Sequence, residues 1–97
     1  MEVMKIQNGH RGSYNLFITP GEKVEIHSHR ENGELINVKV FRPGDVAKYD
    51  SYDSAPISSI TTKNVIFDIG YETSQHAKSK RLKMESFAWR NHNFVLK

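Results

Sequence analysis

Cysteine is absent from this chain. Disulfide staples, thiolate metal centres and a cysteine nucleophile are excluded with it. The absence fits a reducing compartment, and a cytoplasmic location is the expectation. Long apolar runs are also missing. Only 37% of the 97 residues are apolar, and no run is long enough to cross a bilayer. No apolar stretch follows the first residues, so no secretory leader is expected. Helical periodicity is scarce: no window repeats apolar residues at i, i+3, i+4 and i+7 over three turns. There is no Gly-x-Ser-x-Gly nucleophile elbow and no Gly-rich phosphate loop. These absences point away from an enzyme, and no cofactor is expected.

What is present is a series of short β-rich runs broken by turn residues. Met1–Ile6 carries Val3, Met4 and Ile6 and reads as a first strand. Tyr14–Thr19 reads as a second, stopped by Pro20-Gly21. Lys23–His29 alternates strictly, with Val24, Ile26 and Ser28 on one face. Glu34–Phe41 alternates too, and a three-residue Glu31-Asn32-Gly33 loop would pair Arg30 with Glu34 and Ser28 with Ile36. That register puts Val24, Ile26, Ile36, Val38 and Val40 on one buried face, and Glu25, His27, His29 and Lys39 on the solvated one. A one-residue slip would invert the strand.

Further on, Arg42-Pro43-Gly44-Asp45 is a tight turn that leads into Val46–Asp50. A polar loop, Ser51–Pro56, precedes Ile57–Thr62, a two-residue break at Lys63-Asn64, and Val65–Ile69. Arg81–Met84 reads as a last strand, and Glu85–Trp89 as one helical turn whose Phe87 and Trp89 pack down as a lid. Val46, Ile60, Val65, Phe67, Leu82 and Phe87 are the expected core of this half. The pattern predicts an all-β protein of six or seven strands, a small barrel or sandwich, in a single domain over residues 1–97.

Charge is distributed unevenly. Residues 1–73 hold eight Lys and Arg against ten Asp and Glu, whereas residues 74–97 hold six against one. Lys78, Lys80, Arg81, Lys83 and Arg90 therefore form a basic strip, which is what a phosphate-facing surface requires. Alternation sends Lys80 and Leu82 to one side and Arg81 and Lys83 outward. Tyr52 and Tyr71 are the aromatics available to stack on bases beside it, while Phe67, Phe87, Phe94 and Trp89 read as packing. Asp45, Asp50 and Asp53 cluster in one turn-and-loop region, where Asx-type bonds to the backbone account for them.

The stretch Gly44-Asp45-Val46 into Tyr49, followed by a strand, a tight turn and a strand ending near Phe67, resembles the opening of SH3-like small barrels, KOW and Tudor modules included. The resemblance implies that Val46 enters the core and that the next two strands form a hairpin. Gly44–Asp53, Arg81–Met84 and Phe87–Phe94 are also similar to stretches of small uncharacterised phage and plasmid proteins. The two resemblances cover about residues 40–95. They imply an SH3-like portion over 42–97, extended by N-terminal strands and a hairpin over 1–41, with one short C-terminal helical turn. They also imply a mobile-element origin, but supply no site.

Separately, Gly21, His27-Ser28-His29 and Glu34 resemble the first metal motif of cupins, in which two His and a Glu on adjacent strands hold a divalent ion. His76 follows, but no Pro-x-Gly precedes it as the second cupin motif requires. The expected function is thus a non-enzymatic β-barrel module that binds nucleic acid through the basic strip. The alternatives are a phage- or plasmid-encoded inhibitor of a host defence protein, and a cupin-like metal-binding protein using His27, His29 and Glu34. The partner is nucleic acid or a host protein, and no membrane.

Overall fold

The computed structural model describes residues 2–7, 13–70 and 79–92. It is mostly β, with two open four-stranded antiparallel sheets and one short helix. The first sheet has the order β1 (Glu2–Gln7), β2 (Ser13–Thr19), β3 (Lys23–His29), β4 (Leu35–Phe41). The second has β5 (Val46–Lys48), β6 (Ser54–Ile60), β7 (Asn64–Asp68), β8 (Ser79–Lys83). Helix α1 (Met84–Asn91) follows β8 directly. Both sheets are meanders, and neither closes on itself. The described residues therefore form eight strands, one more than the upper expectation.

Alternation builds the core as the sequence implies. In β2, Tyr14, Leu16 and Ile18 are buried, and in β3, Val24, Ile26 and Ser28. The second sheet contributes Ala47, Ala55, Ile57, Ile60, Val65 and Phe67, and α1 contributes Met84, Phe87 and Ala88, all in one cluster with β2 and β3. Two backbone bonds fix the sheets in place. The Gly21 N–H at the β2–β3 turn donates to the Ile60 carbonyl at 2.7 Å, and the Gly44 N–H donates to the Ile57 carbonyl at 2.8 Å.

The β3–β4 hairpin departs from expectation at one residue. Its loop is as the sequence reads: the Arg30 N–H donates to the Glu34 carbonyl at 2.9 Å, and His29 lies opposite Leu35. Gly33 takes φ +90°, a conformation that costs glycine no Cβ clash. A β-bulge then intervenes between Ser28 and His29, so that Ser28 lies opposite Asn37 instead of Ile36. One extra residue on one strand inverts everything beyond it. Val24 faces Phe41, Ile26 faces Lys39, and His27 faces Val38. Val38 and Val40, expected in the core, are 44% and 38% exposed on the outer face. Lys39 has moved to the inner side.

The inner face of this sheet is consequently graded along the strands. One row, Ile18–Val24–Phe41, is wholly apolar; the next is Leu16–Ile26–Lys39; the last is Tyr14–Ser28–Asn37. Phe41 meets Phe87 edge-on at 5.1 Å and anchors the apolar end. At the polar end the Ser28 hydroxyl and the Asn37 amide nitrogen are shielded from solvent without a partner among the described residues.

The second sheet corrects three further expectations. Val46 is 64% exposed, and Ala47 takes the inward position, because β5 sets Val46 against Pro56 and Ala47 against buried Ala55. Strand β6 begins at Ser54, inside the stretch read as loop, and Pro56 is tolerated because the bonds there belong to Ile57, whose N–H donates to Asp45. A bulge between Ile57 and Ser59 brings Ile57 and Ile60, three residues apart, to the same buried face. The β6–β7 turn sits one residue earlier than expected. The Thr61 N–H donates to the Asn64 carbonyl at 2.9 Å, and the Asn64 N–H donates to the Thr61 hydroxyl at 3.0 Å.

Helix α1 runs two turns, longer than the single turn expected, and absorbs Met84 from the strand reading. Its buried stripe is Met84, Phe87, Ala88 and Asn91, spaced at i, i+3, i+4 and i+7. The stripe ends on a polar residue, which hides it from an apolar count. Trp89, read as packing, stands off this stripe and is 49% exposed. No helix among the described residues is long and apolar enough to cross a membrane.

Candidate functional site

The described basic residues of the C-terminal quarter divide among three places. Arg81 and Lys83 lie on the outer face of the second sheet, as alternation requires. Arg81 sits opposite Ile66, Lys83 opposite Asn64, and both are exposed. A shallow cleft beside them is lined by Lys63, Asn64, Lys83 and Glu85, so Lys63 joins this group and Glu85 is the carboxylate that opposes it.

Lys80 points to the other face, opposite buried Phe67, with its ammonium 6.0 Å from the Tyr49 ring centroid. Tyr49 in turn packs on Phe67 at 5.7 Å. Asp50 carries the adjoining loop: its carboxylate accepts from the Tyr52 and Asp53 N–H groups at 2.8 and 2.7 Å. Those two bonds hold the Asp50 carboxyl below the usual range, and the Lys80 charge adds to the effect. Tyr52 rides on this loop 95% exposed. The Asx reading of the loop holds for Asp50, and Asp45 closes its own turn by accepting the Arg42 N–H at 2.8 Å.

Arg90 does not join β8. It lines a cleft of about 340 Å³ between β4, β5 and the end of α1, together with Lys39, Lys48, Ser54, Asn91 and His92. Asn91 ties the helix to β5 from both sides of one residue. Its side-chain oxygen accepts the Lys48 N–H, and its amide donates to the Lys48 carbonyl, each at 2.9 Å. The same amide donates to the Phe87 carbonyl at 2.9 Å. His92 stacks on Tyr14 at 5.1 Å and donates from Nδ1 to the Ala88 carbonyl at 3.1 Å. Burial pushes the Tyr14 hydroxyl up to about 12, and the charge of Glu85 contributes.

Sequence alternation does not single out Lys39 or Lys48. It places Lys39 on the solvated face beside His27, and only the bulge turns it to the cleft. Lys78 and Tyr71, the remaining members of the expected strip, lie outside the described residues, as do His76 and Phe94.

In the His27, His29 and Glu34 set, His27 and Glu34 are engaged by other partners. His27 Nε2 lies 3.1 Å from the Glu25 carboxylate, which Lys23 also grips at 2.9 Å, and the His27 ring packs on Phe17 at 4.4 Å. Glu34 pairs with Arg30 at 3.0 Å. Among the described residues no group of three His, Asp or Glu is placed to hold a metal ion.

Comparison with known proteins returns no match of significance, whether to a family model, a curated protein or a solved structure.

Proposed function

We propose that this chain is a non-enzymatic β-rich binding module whose partner is nucleic acid. The observation that carries the reading is the outward pairing of Arg81 with Lys83 on one exposed strand face, extended by Lys63 from the neighbouring turn. Two or three cations on a flat sheet surface match phosphates spaced along a strand, and each neutralised phosphate releases counterions. Tyr52 supplies a fully exposed ring, the kind of group on which single-stranded bases stack. A cytosolic setting and descent from an SH3-like module belong to the same proposal. The hairpin that follows the Gly44-Asp45 turn supports that descent, whereas outward Val46 departs from the pattern.

The test is a salt titration against labelled single-stranded DNA and RNA. Binding should weaken steeply with salt, and Arg81→Glu with Lys83→Glu should abolish it while leaving the melting curve unchanged. Salt-independent binding, or full binding by the folded double variant, overturns the proposal.

One observation favours a second reading, a host protein as partner for a mobile-element inhibitor. Leu35, Val38 and Val40 are exposed together along β4, an edge strand. Apolar side chains on an edge suit a protein surface better than a phosphate backbone. Under this reading, Val38→Lys would destroy the activity and Arg81→Glu would spare it.

A further inference from the structure

We infer that the cleft between β4, β5 and the end of α1 is a binding site for a single phosphoryl group. The inference is independent of the proposal for β8, because the residues differ and the cleft suits one tetrahedral oxyanion as well as a chain of them.

The first argument is the chemistry of the lining. Lys39, Lys48 and Arg90 are cationic at neutral pH, Ser54 and Asn91 are neutral donors, and no carboxylate lines the cleft among the described residues. None of the three cations forms an ion pair with another described residue. Three like charges around an open cleft of about 340 Å³ repel one another, and a bound dianion reverses the sign of that interaction.

The second argument is Arg90 itself. Its Nη1 donates to the Ser86 carbonyl at 3.3 Å, which fixes the guanidinium along the helix. Its Nε is shielded from solvent and has no hydrogen-bond partner among the described residues. An N–H closed off from water in this way is costly, and a turn of the guanidinium that opens it to the cleft lets a phosphate oxygen accept from it in the fork geometry of arginine.

The third argument concerns what the fold gives up. The bulge at Ile36 turns Lys39 and Asn37 inward and leaves Val38 and Val40 in water. The Phe41–Phe87 contact offsets that exposure in one row only, and Lys39 and Asn37 in the other two rows add no apolar burial. A local choice that opposes the core marks a functional position more often than a structural one.

One feature of the cleft opposes an anion: it sits at the C-terminal end of α1, where helix carbonyls carry partial negative charge. Of the last-turn carbonyls, Ala88 is occupied by the backbone and ring of His92, and one turn earlier Ser86 and Phe87 accept from the Arg90 and Asn91 side chains. The partial charge left at the helix end is small beside the three full positive charges of Lys39, Lys48 and Arg90.

The phosphoryl group has two possible sources, a free phosphate compound or the end or backbone of a nucleic acid. The experiment is a titration of the full chain, followed by amide NMR, with inorganic phosphate, with adenosine monophosphate, and with a short single-stranded oligonucleotide carrying a 5′ phosphate or none. The amides of Lys39, Lys48, Ser54 and His92 should shift with at least one phosphate probe. In Lys48→Gln, an exposed position that leaves the core intact, affinity should fall about tenfold, the value of one charge-assisted hydrogen bond. Arg90→Lys should fall similarly, since lysine keeps the charge and loses the fork. A shift with phosphate or the monophosphate assigns a small-molecule source. A shift only with the oligonucleotide assigns a nucleic-acid source, terminal if the 5′ phosphate is required. If no probe shifts these amides at millimolar concentration, or if Lys48→Gln and Arg90→Lys bind as the parent does, the inference is overturned.

Discussion

Ile26 lies opposite Lys39 across the β3–β4 ladder, not opposite Val38. The consequence is measurable in stability. Val38→Thr and Val40→Thr remove methyl groups from the outer face, where substitutions shift stability by roughly 0.5 kcal/mol or less. Ile26→Ala opens a cavity in the core and should cost about 2–5 kcal/mol. Urea denaturation of the three variants decides the register, because the inverted alignment makes both valine variants as damaging as Ile26→Ala.

Phe67 is the centre of the second sheet's contribution to the core. It is fully buried between Tyr49 at 5.7 Å and Phe87 at 6.1 Å. Phe67→Ala removes both ring contacts and leaves a cavity, so the expected loss is about 3–5 kcal/mol. That is enough to unfold a domain of ordinary stability. Phe67→Leu keeps most of the volume and should retain a cooperative melt at a lower temperature.

Glu25 gives the outer face of the first sheet a pH dependence. Its carboxyl is held below its ordinary value of 4.5, first by the hydrogen bond from Lys23 and then by that from His27. A carboxylate whose folded pKa is depressed adds stability that is fully present above the unfolded value and lost as pH falls through the folded one. The urea midpoint should therefore drop as pH is lowered below 4.5, and Glu25→Gln should flatten that part of the profile. Added salt should shrink the difference between the two proteins, since the group is close to solvent. A profile identical in Glu25→Gln would mean that other carboxylates carry the acid dependence.

Much of the fold is legible in the chain, and the exceptions have physical causes. Strand β3 alternates so strictly, with Pro20-Gly21 before it and Gly33 after it, that its bounds and buried face are fixed. The inversion of β4 is not legible. The Ile36, Val38 and Val40 face is the more apolar one, and the choice between it and the Asn37, Lys39 and Phe41 face depends on Phe41 meeting Phe87, a contact 46 positions away in the chain. Helix α1 is half legible, because its fourth buried position is Asn91. For the site, period-two alternation is enough to send Arg81 and Lys83 outward. It cannot group Arg90 with Lys39 and Lys48, which come together only when the helix folds back over β5. The one signal for Lys39 is a charge set between Val38 and Val40, and nothing comparable marks Lys48 or Arg90.

Asn91 is the joint between α1 and β5, and it should be intolerant of even conservative change. It is nearly buried, its oxygen accepts the Lys48 N–H, and its nitrogen donates to the Lys48 and Phe87 carbonyls. Asn91→Ala orphans the N–H and the carbonyl of Lys48 together, at about 1–3 kcal/mol for each group that water fails to reach. Asn91→Asp is nearly isosteric and keeps the acceptor for the Lys48 N–H. It replaces the donating amide with an oxygen that faces two carbonyl oxygens, so it should destabilise the fold as well, and less so at low pH, where the protonated acid donates one of the two bonds. Hydrogen exchange separates this from a general loss of packing. The Lys48 amide should exchange much faster in Asn91→Ala, whereas the Ile26 and Val65 amides in the sheet interiors should keep the protection set by global unfolding. Uniformly faster exchange at all three positions would show that Asn91 supports the whole core and not this one joint.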